Sequence, residues 1–387
     1  MRPDLRRVAA VVGVGHTDWT GGWARVRAGE KPTDIDGYAA LAFRDALADA
    51  GLRREDVDGL ICGPWNAYER MGELLRLNVR WGDNADAVMA VIQAVQAIAT
   101  GMAEVVALVY GNDQRSAGTQ YGGPQAMGGD AFLSYVYHAP WGLTSQGALY
   151  ALMFQRFRHL YGFEESDLGR VAVAQRAFAH GNPHAIMRGR PLTLEDYLAS
   201  PYVCEPLHLY DYCLINDGGV ALVIAEAERA RRITDRPVYI DAVGRFDLNE
   251  NATTLEPRLT EFYRPAQQAV AATIWNALGE GPEAVDCFQV YDSFSMHVPL
   301  ALEGYGYCEV GGAGRFLREE GIGPGGRLPT NTSGGHLSES YMQGWNHQVE
   351  CVRQLRGEAA GRQIENCRRV HYSSDVAGKA MSIVYGK

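Results

Sequence analysis

Two distant stretches of this 387-residue chain repeat one another. "RDALADAGLRREDVDGLIC" matches "WNALGEGPEAVDCFQV", each reading as a helix, a short loop, Val-Asp and a strand. Val57 pairs with Val285, a separation of 228. Further on, "QAVQAIATG" pairs with "VECVRQLRG", which sets Ala94 opposite Cys351 at a separation of 257. Such a repeat confines the chain to two similar halves that bury their apolar faces together. On the second register Asn84 stands opposite Tyr341, each at the mouth of a helix. Helix N-termini favour anions and developing negative charge, so one shared site near a pseudo-twofold axis is expected.

Local patterning fills in the halves. "VAAVVGVG", "VDGLICGP" and "AEVVALVYG" read as buried strands, and "DGYAALAFRDALADAG" and "NADAVMAVIQAVQAIATG" carry helical spacing, with Gly51 as a C-cap. This alternation predicts an α/β fold on a parallel sheet. From about 113 to 205 the pattern changes to a loop-like stretch and two helices, an inserted loop domain within an N-terminal half spanning 1–235. Strands and helices then resume through a C-terminal half, 236–387, closing on "RRVHYSSDVAGKAMSIVYG".

Composition removes several function classes. Net charge is -10 with no basic block, which argues against nucleic acid as a partner. Seven cysteines without a C-x-x-C pair argue against a disulfide framework and a zinc ribbon, and fit reduced thiols in a cytoplasmic protein without a metal. The first apolar run is short and ends in a turn, so it reads as a strand and not a signal peptide. No stretch approaches a membrane span. "GVGHTD" begins like a dinucleotide fingerprint but has Asp18 where the third glycine would stand, and is discounted.

"INDGGVALVIAEAERAR", "NTSGGHLSESYMQG", "QLRGEAAGRQI" and "VYDSF" together resemble the thiolase superfamily, sterol-carrier-protein type, along nearly the whole chain. The resemblance implies a five-layered αβαβα thiolase fold built from two pseudo-repeated halves, coenzyme A thioester ligands and a homodimer. The departures are informative. The first-half helix mouth, where thiolases keep their nucleophilic cysteine, reads "WGDNADAVMA" with Asn84 and no cysteine. Tyr341 replaces the histidine of the Gly-His-Pro motif, Tyr291 replaces that of the His-Asp-Cys-Phe stretch, and "SSDVAG" stands for the late Cys-Gly loop. A Claisen condensation or thiolysis needs an activated nucleophile, and none of the cysteines falls at a matching position.

The paired tyrosines resemble one branch, the thiolase-like steroid side-chain aldolases of actinobacteria. That resemblance implies retro-aldol cleavage of a 17-hydroxy-steroid 20-carboxyl-CoA thioester to a 17-ketosteroid and propionyl-CoA, with Tyr291 and Tyr341 as the catalytic pair. No cofactor is implied, coenzyme A being part of the substrate. It also implies an OB-fold acyl-CoA-binding partner, the DUF-type domain of a hydratase subunit, in a heterotetramer. A phenol donates a hydrogen bond readily but is a poor base, since ionising it at pH 7 costs roughly 4 kcal/mol. One tyrosine must therefore be activated or pass its proton on, and which is acid and which is base stays open. Asp292, His336 and Asn84 are supporting candidates: a carboxylate to orient, an imidazole to relay, an amide for the thioester. Asn331, Asn216 and Asp217 read as turn residues. Three alternatives stand beside this: a non-catalytic acyl-CoA or lipid carrier, an acyltransferase using Ser293 or Ser340, and a scaffold for a partner enzyme.

Overall fold

The computed structural model describes residues 5–119, 141, 143, 145–248, 259–376 and 379–387. Nine strands form one sheet among them: β1 (Ala9–His16), β2 (Gly59–Cys62), β3 (Trp81–Asn84), β4 (Val105–Asn112), β5 (Gly218–Glu226), β6 (Val238–Asp247), β7 (Cys287–Val290), β8 (Arg369–Val376) and β9 (Lys379–Gly386). Their order is β3-β2-β4-β5-β1-β6-β9-β8-β7. Apart from the extra edge strand β3, the order read inward from the left edge, β2-β4-β5-β1, is mirrored from the right as β7-β8-β9-β6. This is the repeat in three dimensions, and β2 and β7 begin 228 residues apart, at Gly59 and Cys287.

The sheet is mixed, which corrects the expectation of a parallel one. β3, β2 and β4 run parallel, as do β7 and β8, whereas β5, β1, β6 and β9 join antiparallel neighbours. The reason is connection length. β8 ends at Val376 and β9 starts at Lys379, a gap that only an antiparallel pair can close. The halves meet at β1 and β6, where strand pairing covers only Ala10↔Tyr239 and Val11↔Val238.

Side-chain alternation divides the core into three apolar zones and hence five layers. Val105, Ala107 and Val109 of β4 point outward onto α1 (Ile35–Ala50), through Ala39, Ala42 and Phe43. Val106, Leu108 and Tyr110 point inward onto a central pair of helices, α2 (Ala87–Ala99) and α8 (Trp345–Arg356), which also receive Val370, Tyr372, Ile383 and Tyr385 from the other half-sheet. The far face of that half-sheet packs Phe288, Val290 and Val384 against α5 (Arg264–Leu278) and against α3 (Gln146–Tyr161) and α4 (Glu165–His180) from the inserted region. α2 is apolar on nearly every side because it is covered on nearly every side, Gln96 alone among its residues being exposed. α8 occupies the same layer yet buries Asn346, His347, Gln348, Glu350 and Gln354. Their partners make this tolerable: Gln348 Nε2 donates to Ala87 O at 3.1 Å, and Arg362 and Glu350 form a buried ion pair at 2.7 Å. Among the described residues no helix is long and apolar enough to cross a membrane.

Candidate active site

Tyr291 follows the last residue of β7, and its N–H donates to Ser373 O at 2.8 Å, extending the parallel pairing with β8 by one step. The phenol therefore leaves the sheet at the carboxyl end of parallel strands, where α/β sheets open their clefts. Asn331, in the left-handed region at φ 53°, clamps the strand end, accepting from Val290 N at 2.7 Å and donating to Val290 O at 3.0 Å. From there the chain makes one turn of α7 (Gly335–Ser338) and delivers Tyr341 ahead of α8.

The two phenol oxygens lie 3.0 Å apart. Both residues are nearly covered, at 6% and 8% exposure, so the pair sits in a dry recess. Burial pushes the Tyr291 phenol well above its ordinary value, the hydrogen bond with Tyr341 opposes this, and the Cys213 thiol and Asp86 carboxylate add to it. A standing tyrosinate is disfavoured there.

Asp292 and His336 carry the frame. Asp292 points away from the phenols, is fully buried, and accepts from the His336 backbone N–H at 3.0 Å and from His347 Nε2 at 2.9 Å. His336 is also fully buried, and its Nε2 accepts the Gly344 N–H at 3.0 Å. Both phenol rings meet its imidazole edge-on, with centroids 4.9 Å away in each case. Burial holds this histidine neutral, its pKa lowered well below the usual range. With Nε2 occupied and no proton to spare, His336 spaces the two rings. Gly344 fits only as glycine: φ is 86°, and a β-carbon would stand 2.1 Å from the Tyr372 hydroxyl and 3.2 Å from the Tyr291 ring.

Asp292, His336 and His347 place three potential metal-ligand atoms within 4.8 Å of one another. Protonation argues against a metal there. An imidazole that accepts at Nε2 while neutral carries its hydrogen on Nδ1, the atom His336 turns to Asp292 at 3.2 Å. His347 likewise meets the carboxylate at a hydrogen-bonding 2.9 Å. On that tautomer His336 Nδ1 carries a hydrogen, within reach of Asp292 though without hydrogen-bond geometry, where a cation would need a lone pair.

Asn84 lies elsewhere in this scheme. It ends β3, and its amide donates to Asn66 O at 2.9 Å and Gly63 O at 3.2 Å, so it fastens the 63–66 turn. The N-cap position of α2 is taken by Asp86, whose side chain makes no capping hydrogen bond. Ala377 and Gly378 of the late loop lie outside the described residues, while Ser373 serves through its carbonyl. Two residues gain a role that turn chemistry did not suggest. Asn216 Oδ1 accepts the Tyr341 N–H at 2.7 Å, and Asn112 Nδ2 donates to Tyr341 O at 3.1 Å. Asn112 ends β4 and pairs with Gly218 at the start of β5, so adjacent strands of the N-terminal half fix the tyrosine of the C-terminal half from both sides. The thiol beside the phenols is a poor nucleophile: burial of the sulfur raises Cys213 to about 12.

Comparison with known proteins identifies the family. The chain is 36% identical to the 17-hydroxy-3-oxo-4-pregnene-20-carboxyl-CoA lyase of Mycobacterium tuberculosis, over 90% of this chain and 92% of that one. The chain belongs to the thiolase superfamily, in the branch of the steroid side-chain-cleaving aldolases. The steroid side-chain-cleaving aldolase of Thermomonospora curvata is 35% identical, with 91% of each chain covered. The solved Ltp2-ChsH2(DUF35) aldolase superposes with a TM-score of 0.88 at 30% identity, covering 99% of both chains. Residues 249–387 match the family described as thiolase C-terminal domain-like.

Proposed function

We propose that this thiolase-fold aldolase cleaves a 17-hydroxy-steroid 20-carboxyl-CoA thioester by a retro-aldol reaction, giving a 17-ketosteroid and propionyl-CoA. The observation that carries the reading is the hydrogen-bonded phenol pair in a site that lacks a thiolase nucleophile. In the reaction the alcohol O–H breaks, its oxygen becomes the ketone, and the carbon–carbon bond gives its electrons to the thioester enolate. The enolate carbon then takes a proton. Nothing is oxidised or reduced, and the proton lost from oxygen equals the one gained at carbon. Two phenols in contact suit this balance. One accepts the alcohol proton as the pair hands another to carbon, so neither has to rest as a full tyrosinate.

The chain needs no cofactor on this reading, coenzyme A arriving with the substrate. It works in the cytoplasm as a homodimer through the thiolase core, with a DUF35-type acyl-CoA-binding chain as partner. The relation to the Ltp2-ChsH2(DUF35) aldolase supports that partner. A second reading, acyl transfer from Ser293, draws on the 3.0 Å contact between its hydroxyl and His297 Nε2. The deciding experiment incubates the complex with the hydroxyacyl-CoA and follows products by mass spectrometry. Propionyl-CoA with the ketone supports the lyase, and an acyl adduct on Ser293 overturns it.

A further inference from the structure

The phenol pair belongs to a longer row of polar groups. Ser293 stands two residues after Tyr291, and both side chains meet His297. On its other side Ser293 Oγ lies 3.0 Å from Nε2 of His297, the first residue of α6 (His297–Gly304). Both side chains are buried. The His297 ring meets the Tyr291 ring edge-on at 5.5 Å and is enclosed by Tyr150, at 4.6 Å, and Tyr263, at 6.3 Å. Its Nδ1 has no hydrogen-bond partner among the described residues. That orphan nitrogen leaves the Ser293–His297 contact without the third group that orients the imidazole of a serine triad. It also selects a tautomer, because a buried bare lone pair costs less than a buried N–H without an acceptor.

We propose that Ser293 and His297 are positioning residues: His297, protonated on Nε2, donates to Ser293, which donates to the Tyr291 oxygen and stabilises it while the proton crosses the phenol pair. The direction of every hydrogen bond in the row then follows from one orphan nitrogen. A neutral His297 fits the arrangement, since burial lowers it to about 3. The other polar groups facing Tyr291 are the Tyr341 phenol, the Cys213 thiol, the Asp86 carboxylate, the His336 ring edge and Tyr372. Cys213 and Asp86 oppose negative charge on it, which leaves Ser293 as the donor on its inner side.

The inference rests on the retro-aldol reading for its kinetic consequence but not for its geometry, so two arms test it. In the substrate-free complex, 15N NMR of labelled histidine, with His297 assigned by its loss in His297→Gln, is expected to show a neutral ring protonated on Nε2 from about pH 6 to 9. A proton on Nδ1, or titration in that window, overturns the proposal whatever the substrate proves to be. In turnover, Ser293→Ala is expected to lower kcat about 10- to 100-fold at nearly constant KM, and to displace the pH–rate profile upward by about one to two units. Ser293→Thr restores both, His297→Gln keeps its donor and stays near wild type, and His297→Leu behaves as Ser293→Ala. An unshifted profile in Ser293→Ala, with or without lost activity, overturns the proposal. If wild-type protein releases no propionyl-CoA, the retro-aldol reading fails and the NMR arm alone decides.

Discussion

Asn216 accepts the backbone N–H of Tyr341 at 2.7 Å across a sequence separation of 125 residues. Removing the acceptor leaves a buried N–H unpaired, at about 1–3 kcal/mol, and frees the loop that aims the phenol. Asn216→Ala is therefore expected to lower kcat roughly 10- to 100-fold. Asn216→Asp, which keeps an acceptor oxygen, should lose less. Steady-state release of propionyl-CoA measures both, and equal loss in the two variants would remove the anchor from the account.

On the retro-aldol reading the phenol pair acts as one device. Tyr291→Phe and Tyr341→Phe should each reduce turnover by about 10²–10⁴-fold, and the double variant should be little worse than the poorer single one. Retained folding is checked by circular dichroism. Full activity in both single variants would place the chemistry elsewhere.

Asp375 is fully buried behind the site on β8, where it accepts from Tyr305 Oη at 2.8 Å and Gln267 Nε2 at 3.0 Å. Burial raises its pKa to about 7, the two hydrogen bonds only partly opposing it. An acid whose folded value is raised is protonated in both states at low pH, so its cost is absent there. The cost grows as pH rises from the unfolded value near 4 to about 7, reaching about 4 kcal/mol at most. Asp375→Asn mimics the neutral acid. Its melting temperature should match wild type at pH 4 and exceed it at pH 8. A difference independent of pH would contradict the burial argument.

Chelation gives a further test. Because His336 accepts at Nε2 and so carries its hydrogen on the nitrogen nearer Asp292, turnover in EDTA should match turnover without it. Loss of activity that zinc restores would show the trio to be ligands.

The repeated halves were legible in the sequence because apolar periodicity and repeat spacing are written in it, and β2 and β7 keep the Val57–Val285 register; the layers followed from the family resemblance. Tyr291 and Tyr341 were legible for another reason, since they occupy positions of recognisable motifs. The parallel sheet was misread because periodicity reports a strand without its direction. Asn84 illustrates a register argument running out: the pairing with Tyr341 is sound in numbering, but a polar strand, "WGDN", takes Asn84 before α2 begins at Ala87. Asn112, Asn216 and the Ser293–His297 contact left no local trace. The first two act on a residue 229 and 125 positions away, and the last acquires meaning only from the phenol beside it.

The narrow join between the half-sheets bears on control. Both phenols come from one half, whereas the asparagines gripping Tyr341 come from the other, and strand pairing across the join spans two residue pairs. A small twist of one half against the other would thus open or tighten the gap between the hydroxyls.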